Sequence, residues 1–203
     1  MTEPTYPLLS LSRLRVETDG EGVTTLIAGA GCPLRCRWCI NKEILTRPGE
    51  PVTARELYDR VKIDGLYFLA TGGGVTFGGG ESLLHADFIA RFREVCGPEW
   101  RIYVETGLSV PRSAVETAAA CADGFIVDVK TFDDGIYRAY TGRDAAVMKE
   151  NLALLLSLAG PSRVRVRIPL IPEYNDDAAR EATLAAVRAL GAERTELFDY
   201  VIR

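Results

Sequence analysis

The sequence of 203 residues is notable first for what it has little of. It carries one histidine, His85, far along the chain from its clustered cysteines, so a Cys3His zinc site has a single candidate for its fourth ligand. It has no long apolar run: the longest, Leu152 to Ala159, falls well short of the ~20 residues a membrane span needs. It has no surplus of positive charge. Lys and Arg number 24 against 28 Asp and Glu, a net charge of −4, which excludes a nucleic-acid binder relying on bulk positive charge but allows a local basic patch. The start, Met1-Thr2-Glu3-Pro4, is not a basic segment leading into an apolar one, so no targeting signal is expected and the expected location is cytoplasmic. There is no linker, no low-complexity tract and no repeat. With 47% hydrophobic and 26% charged residues, the chain reads as one folded domain over 1–203.

What is present is an alternation of short β-type and helical runs. After an N-terminal arm over 1–21, strands are predicted at Val23 to Ala28, Val75 to Phe77, Arg101 to Glu105, Phe125 to Lys130, Arg163 to Ile168 and Glu196 to Ile202. Between them, Thr53-Ala54-Arg55-Glu56 and Ser113-Ala114-Val115-Glu116 have the form of capping boxes. A helix is predicted near Ala86 to Val95, a second has its apolar stripe at Met148, Leu152 and Leu155 and stops at Gly160, and a third runs from Asp176 or Asp177 to Gly191. Strands alternating with helices imply a parallel α/β architecture. Six βα units suit this length, whereas eight would need roughly 250 residues. The expectation is therefore an α/β partial (β/α)6 barrel over 22–203, with a doubly wound open sheet as the alternative.

The strand faces say more than their number. Side chains alternate faces along a strand. In Arg163-Val164-Arg165-Val166-Arg167-Ile168 one face is arginine and the other aliphatic. Glu105, Asp128, Lys130 and Thr76 likewise lie opposite apolar residues. Each strand has an apolar face fit to meet helices and a polar face that would be costly to desolvate in a dry lumen. The pattern points to a wet or ligand-filled interior. An antiparallel sheet with one solvent face would show the same alternation, but the intervening helices argue against it.

Three of the five cysteines fall in Cys32-Pro33-Leu34-Arg35-Cys36-Arg37-Trp38-Cys39, a C-x3-C-x2-C run. Three thiolates on one short loop can hold three irons of a [4Fe–4S] cube, leaving the fourth open for a small ligand. Arg35 and Arg37 flank the thiolates and could favour an anionic cluster. Zinc is the other reading of the same spacing. Cys96 and Cys121 fall on helical patterns and read as buried thiols.

The cysteine run, with Trp38 before its last cysteine, resembles the signature of the radical S-adenosylmethionine (radical SAM) family. Val75-Thr76-Phe77-Gly78-Gly79-Gly80-Glu81 is similar to that family's GGE segment, and Tyr103-Val104-Glu105-Thr106 and Val127-Asp128-Val129-Lys130 resemble the D/E-T and D-x-K strands of glycyl-radical-enzyme activating enzymes. Tyr140-Thr141-Gly142 and Arg167-Ile168-Pro169 fit the same group. The resemblance implies a partial barrel of radical SAM type, a [4Fe–4S] cluster on Cys32, Cys36 and Cys39, and reductive cleavage of SAM to a 5′-deoxyadenosyl radical. It places Trp38 near the adenine, Thr76, Gly79, Gly80 and Glu81 along SAM, and Lys130 and Arg167 as partners for its carboxylate. Glu105, Thr106 and Asp128 would frame a monovalent cation. The implied partners are a glycyl radical enzyme and an electron donor such as flavodoxin or ferredoxin. A small-molecule substrate, as in relatives of 7-carboxy-7-deazaguanine synthase, is the second reading, because Ile40 stands where a polar residue is common and no ferredoxin-type cysteine insertion is present. A metal-binding module without activity is the third.

Overall fold

Alternating β-branched and polar residues pair into strands here because each strand has one face that can leave water. The computed structural model describes residues 3–16 and 18–200. Along the chain run β1 (Tyr6–Val16), β2 (Val23–Gly29), β3 (Glu50–Val52), α1 (Ala54–Val61), α2 (Gly65–Thr71), β4 (Gly74–Gly79), α3 (Ala86–Cys96), β5 (Arg101–Thr106), α4 (Arg112–Cys121), β6 (Gly124–Asp128), α5 (Asp134–Thr141), α6 (Ala146–Ala159), β7 (Val164–Leu170), α7 (Asp177–Ala189) and β8 (Arg194–Asp199). They form one sheet in the order β3-β1-β2-β4-β5-β6-β7-β8. The pairs β2-β4, β4-β5, β5-β6, β6-β7 and β7-β8 are all parallel, so six strands carry the six expected units. β3 and β8 are the edges and do not pair with each other. Arg15 near the end of β1, Leu26 of β2 and Phe198 of β8 nevertheless line one cavity, so the sheet curls into an open barrel.

The apolar strand faces point outward. Phe77, Val104, Phe125, Val127, Val166 and Ile168 are buried in one cluster with Phe88 and Phe92 of α3, Val115 of α4, Leu152 and Leu155 of α6 and Val187 of α7. Burying each such side chain contributes roughly 1.5–3 kcal/mol. The lumen face is left to the polar series, including Thr76, Glu105, Asp128, Arg165 and Arg167. A doubly wound sheet would put helices on both faces; here the inner face meets a cavity instead.

Local signals hold where their partners are free. Thr53 Oγ1 accepts from the Glu56 amide at 3.3 Å while Glu56 Oε2 accepts from the Thr53 amide at 2.8 Å, so this capping box forms. Asp176 caps α7 through the Ala179 amide at 2.9 Å, and Gly191, at φ 95°, follows its end. The second box does not form. α4 starts two residues earlier, at Arg112 behind Pro111, which places Ser113 inside the first turn, and Glu116 accepts from Arg112 Nε at 2.8 Å instead. The segment read as an arm is mostly strand: β1 pairs antiparallel with both β2 and β3. The last strand begins at Arg194, and residues 201–202 of the expected strand lie outside the described residues. The short helices α2 and α5 were not expected. Among the described residues no helix is long and apolar enough to cross a membrane.

Candidate active site

The parallel strands end at Gly79, Thr106, Asp128 and Leu170, and the cysteine loop crosses that end directly after β2. The loop is held from α5. The amides of Arg35 and Arg37 donate to the carbonyl oxygens of Thr141 and Tyr140 at 2.8 and 3.0 Å. Arg35 also folds back on its own loop, donating to the Cys32 carbonyl at 2.7 Å, and Arg37 lies over the Trp38 ring. Neither arginine lines the cavity beside the thiols; their contacts shape the loop. The cation that acts on a thiol is Lys130. Burial pushes Cys36 up and Lys130 pulls it back, while burial pushes Cys32 up to about 11.

Cys32, Cys36 and Cys39 all line a cavity of about 540 Å³, within the range for small-molecule sites. Gly79, Gly80, Glu81, Glu105, Thr106, Asp128, Lys130 and Arg167 line it too, so most of the residues singled out from the sequence meet in one place. Two do not. Thr76 is fully buried beneath the chain before β2 and donates to the Asp19 carbonyl. Trp38 turns its indole N–H to the Pro172 carbonyl at 3.3 Å and does not line the cavity.

The glycines also serve the chain's own packing. A Cβ on Gly80 would come within 2.2 Å of the Gly31 carbonyl oxygen, so the missing side chain lets the cysteine loop's own main chain approach. The Gly80 amide donates to the Gly29 carbonyl at 3.1 Å, and the Glu81 amide to that of Gly31 at 2.9 Å. Gly79, at φ 86°, turns the strand into this contact.

Glu81 is buried and fully engaged by its own chain. It accepts from the Thr106 hydroxyl at 2.6 Å, the Gly107 amide at 2.9 Å and the Leu83 amide at 3.2 Å. Burial raises its pKa and these three donors lower it again, with the balance upward. Glu105, Asp128, Lys130 and Arg167 form a second network. Arg167 bridges the two acids, Nε to Asp128 Oδ1 at 2.8 Å and a terminal nitrogen to Glu105 Oε1 at 3.2 Å. Lys130 reaches the other Asp128 oxygen at 3.1 Å. The pairing is built in, because Asp128 and Arg167 are register partners across β6 and β7. Burial would raise the Asp128 pKa, but Lys130 and Arg167 outweigh it and hold the group below its ordinary value. Glu105 is the weaker partner: burial pushes it up to about 7 against the pull of Arg167.

The donor set fits an iron–sulfur cluster with a small ligand better than a single zinc ion. Three thiols without disulfide partners line a roomy cavity, yet no three Cys, His, Asp or Glu side chains among the described residues converge on one metal-ion position. His85 packs its ring 5.2 Å from that of Tyr6 and does not line this cavity. Sequence reasoning missed Arg15, Asp19 and Tyr200 as cavity residues. The Tyr200 hydroxyl donates to the Trp38 carbonyl, closing β8 onto the cysteine loop. No spacing in the sequence links such distant positions to the cysteine run.

Comparison with known proteins agrees with this geometry. The family model of the radical SAM superfamily matches residues 26–185. A (2S)-3-sulfopropanediol sulfolyase activating enzyme of Bilophila wadsworthia is 25% identical over 78% of this chain and 72% of its own. A pyruvate formate-lyase-activating enzyme of Clostridium pasteurianum is 28% identical over 90% of this chain and 77% of its own. Among solved structures, Streptococcus suis SuiB bound to its precursor peptide SuiA has a TM-score of 0.68 at 13% identity, covering 87% of this chain and 38% of that one, a likeness of fold. The chain is an enzyme of the radical SAM superfamily.

Proposed function

We propose that this enzyme activates a glycyl radical enzyme by abstracting hydrogen from a glycine of that partner protein. Support comes from the curated relatives, which are named as activating enzymes of several glycyl-radical systems. The observation that carries the reading is the single cavity that joins three thiols to the Glu105–Arg167–Asp128–Lys130 network. When bound, a reduced [4Fe–4S] cluster on Cys32, Cys36 and Cys39 supplies the electron that cleaves SAM into methionine and a 5′-deoxyadenosyl radical.

The chain's own residues then have separable tasks. Lys130 and Arg167 keep N–H donors beyond those spent on Asp128 and Glu105, and these serve the SAM carboxylate. Glu81 fixes the turn after β4 and presents the Gly79–Gly80 main chain along the ligand. Arg167 supplies the positive charge between Glu105 and Asp128 where the resemblance implies a monovalent cation. Trp38, held against Pro172 outside the cavity lining, reaches the adenine only if its ring turns inward. An electron donor such as flavodoxin or ferredoxin and a reducing, cytoplasmic setting complete the reading.

The test is anaerobic reconstitution with iron and sulfide, followed by dithionite, SAM and a candidate partner. A glycyl doublet in the EPR spectrum that needs both proteins is expected. SAM cleavage with a modified small molecule and no partner-dependent doublet would overturn the choice of substrate.

A further inference from the structure

The opposite end of the same lumen is built differently. Between the first residues of β5, β6, β7 and β8 lies a second cavity, of about 160 Å³, lined by Arg101, Arg163, Arg165 and Arg194. Only two carboxylates, Glu21 and Asp123, share it. Both are committed. Asp123 is held by Arg93 and accepts from the Ile102 amide at 2.7 Å, and Glu21 pairs with Arg194 at 3.2 Å. Arg163 is also spent, on the Ala159 and Ala122 carbonyls at 2.6 and 3.2 Å.

That leaves Arg101 and Arg165 with no carboxylate or hydrogen-bond partner among the described residues. Arg165 is half-buried in the lumen, directly across from Ile126. Beside them the Tyr103 side chain is 6% exposed, and its hydroxyl, near the Glu21 main chain, completes no hydrogen bond of ordinary geometry. Gly20 and Gly124 lie flat against the Tyr103 ring, where a Cβ would fall 2.5 and 2.8 Å from it, so the ring is fixed in place. An unpartnered buried hydroxyl and two idle guanidiniums in a chain of net charge −4 are all donors without an acceptor.

We propose that this end of the barrel binds a phosphate-class oxyanion, held by Arg101 and Arg165 beside the fixed Tyr103 ring. The two unpaired guanidiniums, Arg101 and Arg165, match the two charges of a phosphate dianion, and guanidinium forks suit its oxygens. Its volume admits a phosphate group but not a nucleotide. Free orthophosphate and a phosphomonoester present the same atoms to these donors. The inference is independent of the substrate assigned above.

The experiment is calorimetric titration of the full chain with inorganic phosphate, at constant ionic strength against sodium chloride, with glycerol 3-phosphate as a second arm. One saturable site is expected for phosphate and none for chloride. Binding of glycerol 3-phosphate with equal or greater affinity assigns the site to phosphomonoesters; its failure to bind assigns it to the free ion. Arg101→Gln and Arg165→Gln should each weaken binding about tenfold, as loss of a charge-assisted hydrogen bond does. The exposed Arg138→Gln, remote from the cavity, should leave it within about twofold. Arg101 has an exposed side chain without contacts to lose, so Arg101→Gln decides the matter if Arg165→Gln does not fold. No saturable phosphate heat, or equal affinity in wild type and Arg101→Gln, would overturn the proposal.

Discussion

The two ends of this barrel draw on the same strands and reach opposite electrostatic solutions. At the C-terminal end, Glu105, Asp128, Lys130 and Arg167 neutralise one another in a cavity that also holds three thiols. At the N-terminal end, two residues back along β5 and β7, Tyr103 and Arg165 have no side-chain partner among the described residues. A spacing of two residues is about 7 Å along a strand, so the contrast does not come from distance or exposure alone. It comes from register. Arg167 has Asp128 across from it, whereas Arg165 has Ile126. A lumen position becomes a structural ion pair or an open binding group according to what its neighbouring strand presents.

That contrast can be broken at several strengths. Cys36→Ala should give the largest effect, with loss of the cluster absorbance near 400 nm to background and no SAM cleavage, since the remaining two thiols cannot hold the cube. Gly80→Ala should follow. Its Cβ meets the Gly31 carbonyl, and displacing the cysteine loop should destabilise the fold by roughly 1–3 kcal/mol and lower the iron content after reconstitution. Arg167→Ala leaves Glu105 and Asp128 facing each other. Because these groups are partly hydrated, a loss of about 2 kcal/mol in denaturant unfolding is expected rather than the full figure for a buried pair, with weaker SAM binding and partial recovery in Arg167→Lys.

A pH titration sharpens the same point. Glu105 is raised by burial to about 7, so between its unfolded value, about 4.5, and 7 the folded protein holds a proton that the unfolded chain has released. Stability from this group is therefore complete below about pH 4.5 and lost as pH rises through 7. Asp128 is lowered, so its contribution is lost only as pH falls below the ordinary aspartate range, outside that window. Thermal unfolding from pH 5 to 8 should show a decline on the order of 1–2 kcal/mol, absent in Glu105→Gln. The smallest effect should be that of exchanging sodium for potassium. With the Arg167 guanidinium between the acids, SAM cleavage should change by less than about twofold, and a strong potassium requirement would show that Arg167 moves aside.

Much of this was legible in the chain itself. Alternation alone placed Glu105, Asp128 and Arg167 on one lumen face, and the cysteine spacing identified the loop that closes it. What could not be read were contacts between distant segments. Nothing near Gly80 reveals that the Gly31 carbonyl presses on it. Arg35 and Arg37 look electrostatic beside the thiols, yet one serves carbonyl oxygens and the other a ring, because α5 pins the loop with their side chains turned away. Ser113 has its capping partner at the right spacing, but Arg112 reaches Glu116 first. β1 hid because Ser10, Ser12, Arg13 and Arg15 break up its apolar pattern, and its stability depends on pairing with both β2 and β3.

The most direct test of the account is cleavage of SAM by the reconstituted chain under dithionite, followed by mass spectrometry for 5′-deoxyadenosine. With the cluster loaded on Cys32, Cys36 and Cys39, 5′-deoxyadenosine should accumulate with time and vanish in Cys36→Ala. A fully loaded cluster that yields no more 5′-deoxyadenosine than the cluster-free variant would contradict it.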